Sequence, residues 1–161
     1  CTQETIKKME KSILVFYTGR TRSAASLLSE QSNNMGNSVK RKLMKEMVSL
    51  TYDMKALLES NNLDSIGELL DKNWRLKQQM ASGISDPEIN NWYSRGINAG
   101  ASGGKLLGAG NGGFIMFFAP FERHEAIIKA MKGLKKISIS FDLKGSQIVL
   151  NQTNNLKKYG I

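Results

Sequence analysis

The sequence predicts an α+β domain in which an antiparallel sheet of about four strands packs against helices. Three observations carry that expectation. Strand-sized segments stand at 13–17, 103–107 and 114–119, the first and last of them apolar runs. The stretch between the first two places its apolar residues at helical spacing. After the third come a short amphipathic helix and a segment of strict alternation, the mark of a half-buried strand.

Taken in order, Ile13-Leu14-Val15-Phe16-Tyr17 is β-branched and apolar and stops at Thr18-Gly19, so it reads as a buried strand. A loop, Gly19-Arg20-Thr21-Arg22-Ser23, leads into a helix from Ala24 to Gln31 that carries Leu27 and Leu28 and ends near Asn33-Asn34-Met35-Gly36. Val39, Leu43, Met47, Leu50, Met54 and Leu57 then recur every three or four residues, one face of a long helix. Glu59-Ser60-Asn61-Asn62 breaks it. Asp64 is the expected cap of the next helix, with Ile66, Leu69, Leu70, Trp74, Leu76 and Met80 facing inward and Gly83 and Ser85 ending it. Asp86-Pro87 pairs an acceptor side chain with a proline at the first helical position, the signature of another helix start. Ile89, Trp92, Tyr93 and Ile97 supply its apolar positions, and Gly96 and Gly100 permit close packing or mark its end.

From Ala101 the period changes. Gly103 to Leu107 and Phe114 to Ala119 read as two strands, stopped by Pro120. Glu122 to Lys132 is an amphipathic helix, and Ile137, Ile139, Phe141 and Leu143 alternate as a strand that Ile148-Val149-Leu150 extends after a bend at Gly145. The tail from Asn151 is polar. The order strand, helices, strand, strand, helix, strand is the split β-α-β plan of ferredoxin-like folds, with about four helices inserted where one is usual.

The chain has 161 residues, which fits one domain with a real core. It holds no apolar run long enough to span a membrane, and its first residues lack the layout of a signal peptide. Cys1 is the only cysteine, so no intrachain disulfide forms, which suits a cytoplasmic location. A chain that opens on Cys1 and soon enters a strand reads as an interior piece of something longer, or as a processed or trimmed one. The net charge of +9 favours anionic partners. The lysines are spread over several elements and no aromatic-basic stripe or reading helix stands among them, so no nucleic-acid role is expected.

The segment Gly108-Ala109-Gly110-Asn111-Gly112-Gly113 joins two strands with more glycine than a hairpin turn requires. Bare backbone of this kind suits close approach to a phosphate, where successive N–H groups form an anion nest; the plainer alternative is a flexible surface hairpin. It is not a Walker loop, since no Gly-Lys-Ser/Thr ends it, and not a dinucleotide fingerprint, since a strand follows it.

Lys105-Leu106-Leu107-Gly108-Ala109-Gly110-Asn111-Gly112-Gly113-Phe114 resembles the third signature motif of the GHMP kinases, which reads Lys-hydrophobe-small-Gly-Ala/Gly-Gly-x-Gly-Gly before a buried strand. Leu107 departs from it, since many members carry Ser or Thr there. Leu107, Gly100 to Gly104, Leu14 to Ala24, Trp74-Arg75-Leu76-Lys77, Gly83 to Ile89 and Gly145 to Val149 are similar to the branch of bacterial D-glycero-D-manno-heptose phosphate kinases and fucokinase-like enzymes.

The resemblance covers nearly the whole chain. It implies that residues 1–161 are a GHMP kinase C-terminal domain whose N-terminal ATP-binding domain, with the main phosphate loop and the catalytic residues, is absent from this chain. It implies ATP and Mg²⁺ as cofactors, bound mainly by that absent partner domain, and a sugar-phosphate substrate phosphorylated on a hydroxyl. Gly108, Ala109, Gly110, Asn111, Gly112 and Gly113 are the expected cofactor-contacting loop. Arg22, Thr21 and Lys105 are the expected substrate contacts, with Arg22 favoured over Arg20 by the resemblance. No metal ligands are expected in the chain, since it has no Cys/His cluster. His124, the only histidine, reads as a surface residue, and Trp74 and Trp92 read as packing anchors. Phosphoryl transfer depends on positioning from both sides of the cleft, so this chain alone is expected to be inactive. The alternatives are another GHMP sugar kinase, fucokinase- or galactokinase-like, and a non-catalytic ferredoxin-like binding module.

Overall fold

A computed structural model describes residues 1–21, 24–34 and 36–148. Four strands form one antiparallel sheet in the order β2-β3-β1-β4, with β1 at Ile13–Tyr17, β2 at Gly103–Leu107, β3 at Phe114–Phe118 and β4 at Lys135–Ile137. This is the ferredoxin-like strand order. The four inserted helices lie between β1 and β2: α2 (Ala24–Asn34), α3 (Ser38–Glu59), α4 (Ile66–Gln78) and α5 (Pro87–Asn98).

One sheet face carries Leu14, Phe16, Leu106, Ile115 and Phe117, all nearly inaccessible, with Trp74, Ile89, Tyr93 and Ile127 packed over them. Trp74 is among the most buried side chains and Trp92 packs against the same core, so both act as packing anchors. Backbone approach makes this packing possible. A Cβ on Gly96 of α5 would stand 2.2 Å from the Phe117 ring, and one on Gly103 would stand 1.7 Å from the Gly67 carbonyl oxygen of α4. These positions therefore take the one residue without a side chain, and α4 lies directly along the edge strand β2. Tyr93 closes the same edge, its hydroxyl 2.7 Å from Asp71 Oδ1 and 3.1 Å from the Gly104 carbonyl oxygen.

The helix starts follow their caps. Asn37 accepts from the amides of Val39 and Lys40 at the start of α3, and Asp86 accepts from Ile89 at 2.9 Å with Pro87 at the first helical position of α5.

The structure corrects the sequence reading in four places. An N-terminal helix, α1 (Gln3–Ser12), precedes β1. It was hidden by its polarity; Thr2 caps it, and Thr5 Oγ1 donates to Asn61 Oδ1 beyond the end of α3. The cap position of α4 is Ser65, without a side-chain bond, in place of Asp64, and the helix ends at Gln78, ahead of Gly83. The helix after Pro120 opens as a 3₁₀ turn, Phe121–Arg123, and continues as α6 (His124–Ala130).

The last strand is the largest difference. β4 has three residues, and Ile139 and Leu143 are exposed. Its partner explains this. Val15, Phe16 and Tyr17 pair with Ile137, Lys136 and Lys135, and β1 begins at Ile13, so the antiparallel ladder has little strand left beyond Ile137. The proposed extension through Val149 and Leu150, the tail from Asn151, and Met35 lie outside the described residues. No helix among the described residues is long and apolar enough to cross a membrane.

Candidate functional site

The β2–β3 hairpin ends in the glycine segment, and two distant loops hold it. The Asn111 amide donates to the Ile84 carbonyl oxygen at 2.8 Å, and the Gly113 amide donates to the Arg20 carbonyl oxygen at 2.8 Å. Thr18 closes the base, its amide and hydroxyl both donating to the Gly113 carbonyl oxygen at 2.9 Å.

Two glycines are dictated by this fit. Gly110 has φ +134°, and a Cβ there would stand 2.8 Å from Ile84 Cα. Gly112 has φ +152°, and a Cβ there would stand 2.9 Å from the Arg20 carbonyl oxygen. A side chain at either place meets backbone on one side and a strained dihedral on the other.

Between these tethers, the amides of Gly108, Ala109, Gly110 and Gly112 have no acceptor among the described residues. These four donors along one loop are left to solvent or to a ligand. The loop borders a cleft of about 340 Å³ lined also by Tyr17, Arg20, Thr21, Leu107 and Phe114.

Arg20 is the strut of this assembly. Its guanidinium reaches Asp86 Oδ2 at 2.6 Å, Glu88 Oε2 at 3.2 Å and Asn111 Oδ1 at 2.8 Å. It thereby joins the loop after β1, the N-terminus of α5 and the glycine loop. The bond from Arg20 is the largest cause holding the Asp86 carboxyl below its ordinary range, and the same bond raises Arg20.

The expected site residues divide. Thr21 lies in the cleft with the glycine loop. Arg22 lies outside the described residues. Lys105 stands apart from the cleft, donating to Asn73 Oδ1 at 3.1 Å in the wall of a separate groove lined by Leu50, Met54, Leu69 and Leu70. His124 contacts the Ala119 carbonyl oxygen and the Phe121 ring, away from the loop.

One residue was not singled out for the site. Lys77 of α4 donates its ammonium to the Gly108 carbonyl oxygen, where the glycine loop begins. Burial, and to a lesser degree the charge of Lys105, hold Lys77 below the ordinary lysine range; burial does the same to Lys105. Only the family-like run Trp74 to Lys77 marked it in the sequence. Among the described residues, no group of three His, Cys, Asp or Glu side chains is placed to hold a metal ion.

The family described as GHMP kinases C terminal matches residues 54–136, which include α4, α5, the hairpin and α6. A D-glycero-alpha-D-manno-heptose 7-phosphate kinase of Campylobacter jejuni is 27% identical over 125 residues, covering 78% of this chain and 37% of its own length. A mevalonate kinase of Methanothermobacter thermautotrophicus is 29% identical over 129 residues, covering 80% of this chain and 42% of its own. In structure, the L. major mevalonate kinase in complex with R-mevalonate is similar with a TM-score of 0.70 at 22% identity, over 77% of this chain and 40% of that one. At that identity the likeness speaks for the fold. The chain spans about two fifths of the length of the relatives it matches.

Proposed function

We propose that this chain, which belongs to the GHMP kinase family through its C-terminal domain, serves an ATP-dependent kinase that phosphorylates a hydroxyl of a heptose phosphate. The observation that carries the reading is the glycine loop: a backbone fixed at Ile84 and Arg20 in which the amides of Gly108, Ala109, Gly110 and Gly112 have no acceptor among the described residues. The similarity to a heptose 7-phosphate kinase over 78% of the chain supports the sugar class. The reading takes residues 1–161 as one domain, paired with an N-terminal domain that supplies the main ATP site, and sets the kinase in the cytoplasm.

The loop fits a phosphoryl group by chemistry as well as by space. Backbone N–H groups stabilise negative charge without bringing a side chain between donor and acceptor. Gly108, Ala109, Gly110 and Gly112 are the residues that would face the phosphates of ATP, and Thr21 would stand beside them in the cleft. ATP with Mg²⁺ supplies the transferable phosphoryl group, and the metal travels with the nucleotide. This chain's own part is to orient and to stabilise charge. The Arg20 strut fixes Asn111, so the amides need not reorganise when charge develops beside them. Tyr17 and Phe114, with ring centroids 5.2 Å apart, form an apolar wall of the cleft that would limit water there.

The test is a transfer assay with the longer protein that contains this chain. Mg-ATP is supplied with heptose 7-phosphate, mevalonate or fucose, and ADP and the phosphorylated product are measured. The reading expects heptose 7-phosphate to be the best acceptor. Preferential transfer to mevalonate would move the assignment to another member of the family, and no transfer to any acceptor would return the chain to a binding role.

A further inference from the structure

α4 places Asn73 and Lys77 on one face, one turn apart, and both meet β2 or its end. Asn73 accepts from Lys105 at 3.1 Å, and Lys77 donates to the Gly108 carbonyl oxygen. The two ammonium groups are close enough for the charge of Lys105 to act on Lys77. Neither has a carboxylate within ion-pair distance among the described residues, although nearby Arg75 on the same helix is paired with Asp71 at 2.7 Å. Each has a single neutral acceptor and so retains donors for another partner.

Half-buried positive charge without a counter-charge is costly, and a bound anion removes the cost. Lys77 meets the loop on the carbonyl edge of the Gly108–Ala109 peptide, whose N–H points the other way, so its flexible stem must swing for the ammonium and the free amides to share one anion. Lys77 sits at the residue from which the loop's free amides run, Gly108 and then Ala109 and Gly110. The loop offers dipoles but no full charge of its own, and Arg20, the cation that lines the cleft, is already engaged by Asp86 and Glu88.

We propose that Lys77 is the phosphate-binding cation of the glycine loop, leaving the Gly108 carbonyl oxygen to pair with a phosphoryl group held on the neighbouring amides, with Lys105 adding to the positive field behind it. The identification of that group as a kinase phosphate rests on the function proposed above; the anion site itself rests on Lys77 and the loop. The phosphoryl group belongs either to the acceptor sugar phosphate or to the nucleotide, and the two sources are separable by experiment.

The lysines of the full chain are reductively methylated with ¹³C, which keeps their charge, and the Lys77 and Lys105 signals are assigned from Lys77→Arg and Lys105→Arg. Inorganic phosphate is titrated at constant ionic strength. The expected result is that the Lys77 signal moves, its titration shifts to higher pH, and the amides of Gly108 and Ala109 respond over the same phosphate range. Lys77→Met should weaken phosphate binding about ten-fold, whereas Lys77→Arg should keep most of it. Competition by heptose 7-phosphate or by ADP then names the source. An unmoved Lys77 signal, a Lys77→Met chain that binds phosphate as tightly as the unaltered one, or failure of both phosphate compounds to compete would overturn the proposal. The titration needs no transfer reaction, so its failure alongside an active longer protein would remove the Lys77 site and leave the kinase reading standing.

Discussion

The two ends of the β2–β3 hairpin both depend on glycine to bring backbone close, and they differ in what the close approach leaves exposed. At the base, Gly103 and Gly104 are buried and admit neighbours: the Gly67 carbonyl oxygen would lie 1.7 Å from a Cβ on Gly103, and the Met116 carbonyl oxygen would lie 2.3 Å from one on Gly104. At the tip, Gly110 and Gly112 hold left-handed backbone against Ile84 and Arg20 and leave amides without partners among the described residues. The base uses the missing side chain to bring a helix onto a strand. The tip uses it to seat the loop on the backbone of Ile84 and Arg20 at the border of a cleft. Glycine count and the atoms a Cβ would meet do not distinguish the two ends; the partners of each amide do.

The largest effect expected from breaking this division is at the base. Gly103→Ala puts a methyl group into the α4 backbone, which cannot swing aside, and should destabilise the fold by about 3 kcal/mol or more in urea unfolding. At the tip, Gly110→Ala meets Ile84 backbone at φ +134° and should cost about 2 kcal/mol of local strain. Its effect should concentrate in faster hydrogen exchange at the Asn111 amide, with a smaller change in global unfolding, because a loop can open where a helix–strand contact cannot.

Two side chains sharpen the contrast further. Tyr93→Phe removes the hydroxyl that bonds Asp71 and Gly104 at the buried base, and should cost about 1 kcal/mol of global stability. Arg20→Ala loosens the tip, and its effect on global stability should be the smallest of the series because the Arg20 and Asp86 side chains are partly exposed, at 33% and 25%. Its signature is in pH. The Asp86 carboxyl is depressed in the fold, so its contribution is present above the unfolded aspartate value and is lost as pH falls through the folded one. The stability difference between Arg20→Ala and the unaltered chain should therefore be greatest at neutral pH and shrink on acidification.

The same contrast accounts for what the sequence disclosed. β1 and β3 were legible because each is a contiguous apolar run, β2 because the helical period stops at Ala101, and α5 because Asp86 and Pro87 are adjacent local signals. The glycine loop stood out by density. Features made of distant partners did not. Arg20 meets Glu88 and Asn111 at separations of 68 and 91 residues, and Lys77 meets Gly108 at 31. Nothing local in those side chains separates a strut or a loop cation from a solvated charge. β4 failed for a related reason: alternation from Ile137 to Leu143 is a local pattern, but a strand also needs a partner, and β1 provides little beyond Ile137. α1 was missed because its surface is polar and only Thr5 is fully buried.

The account rests most heavily on the tip being a phosphate cradle. The direct measurement is ¹⁵N amide NMR of the longer protein containing this chain, with a non-hydrolysable ATP analogue, Mg²⁺ and heptose 7-phosphate added to saturation. The account predicts that the amides of Gly108, Ala109, Gly110 and Gly112 shift and exchange more slowly while those of Gly103 and Gly104 stay in place. Unchanged tip amides at saturating ligands would contradict it.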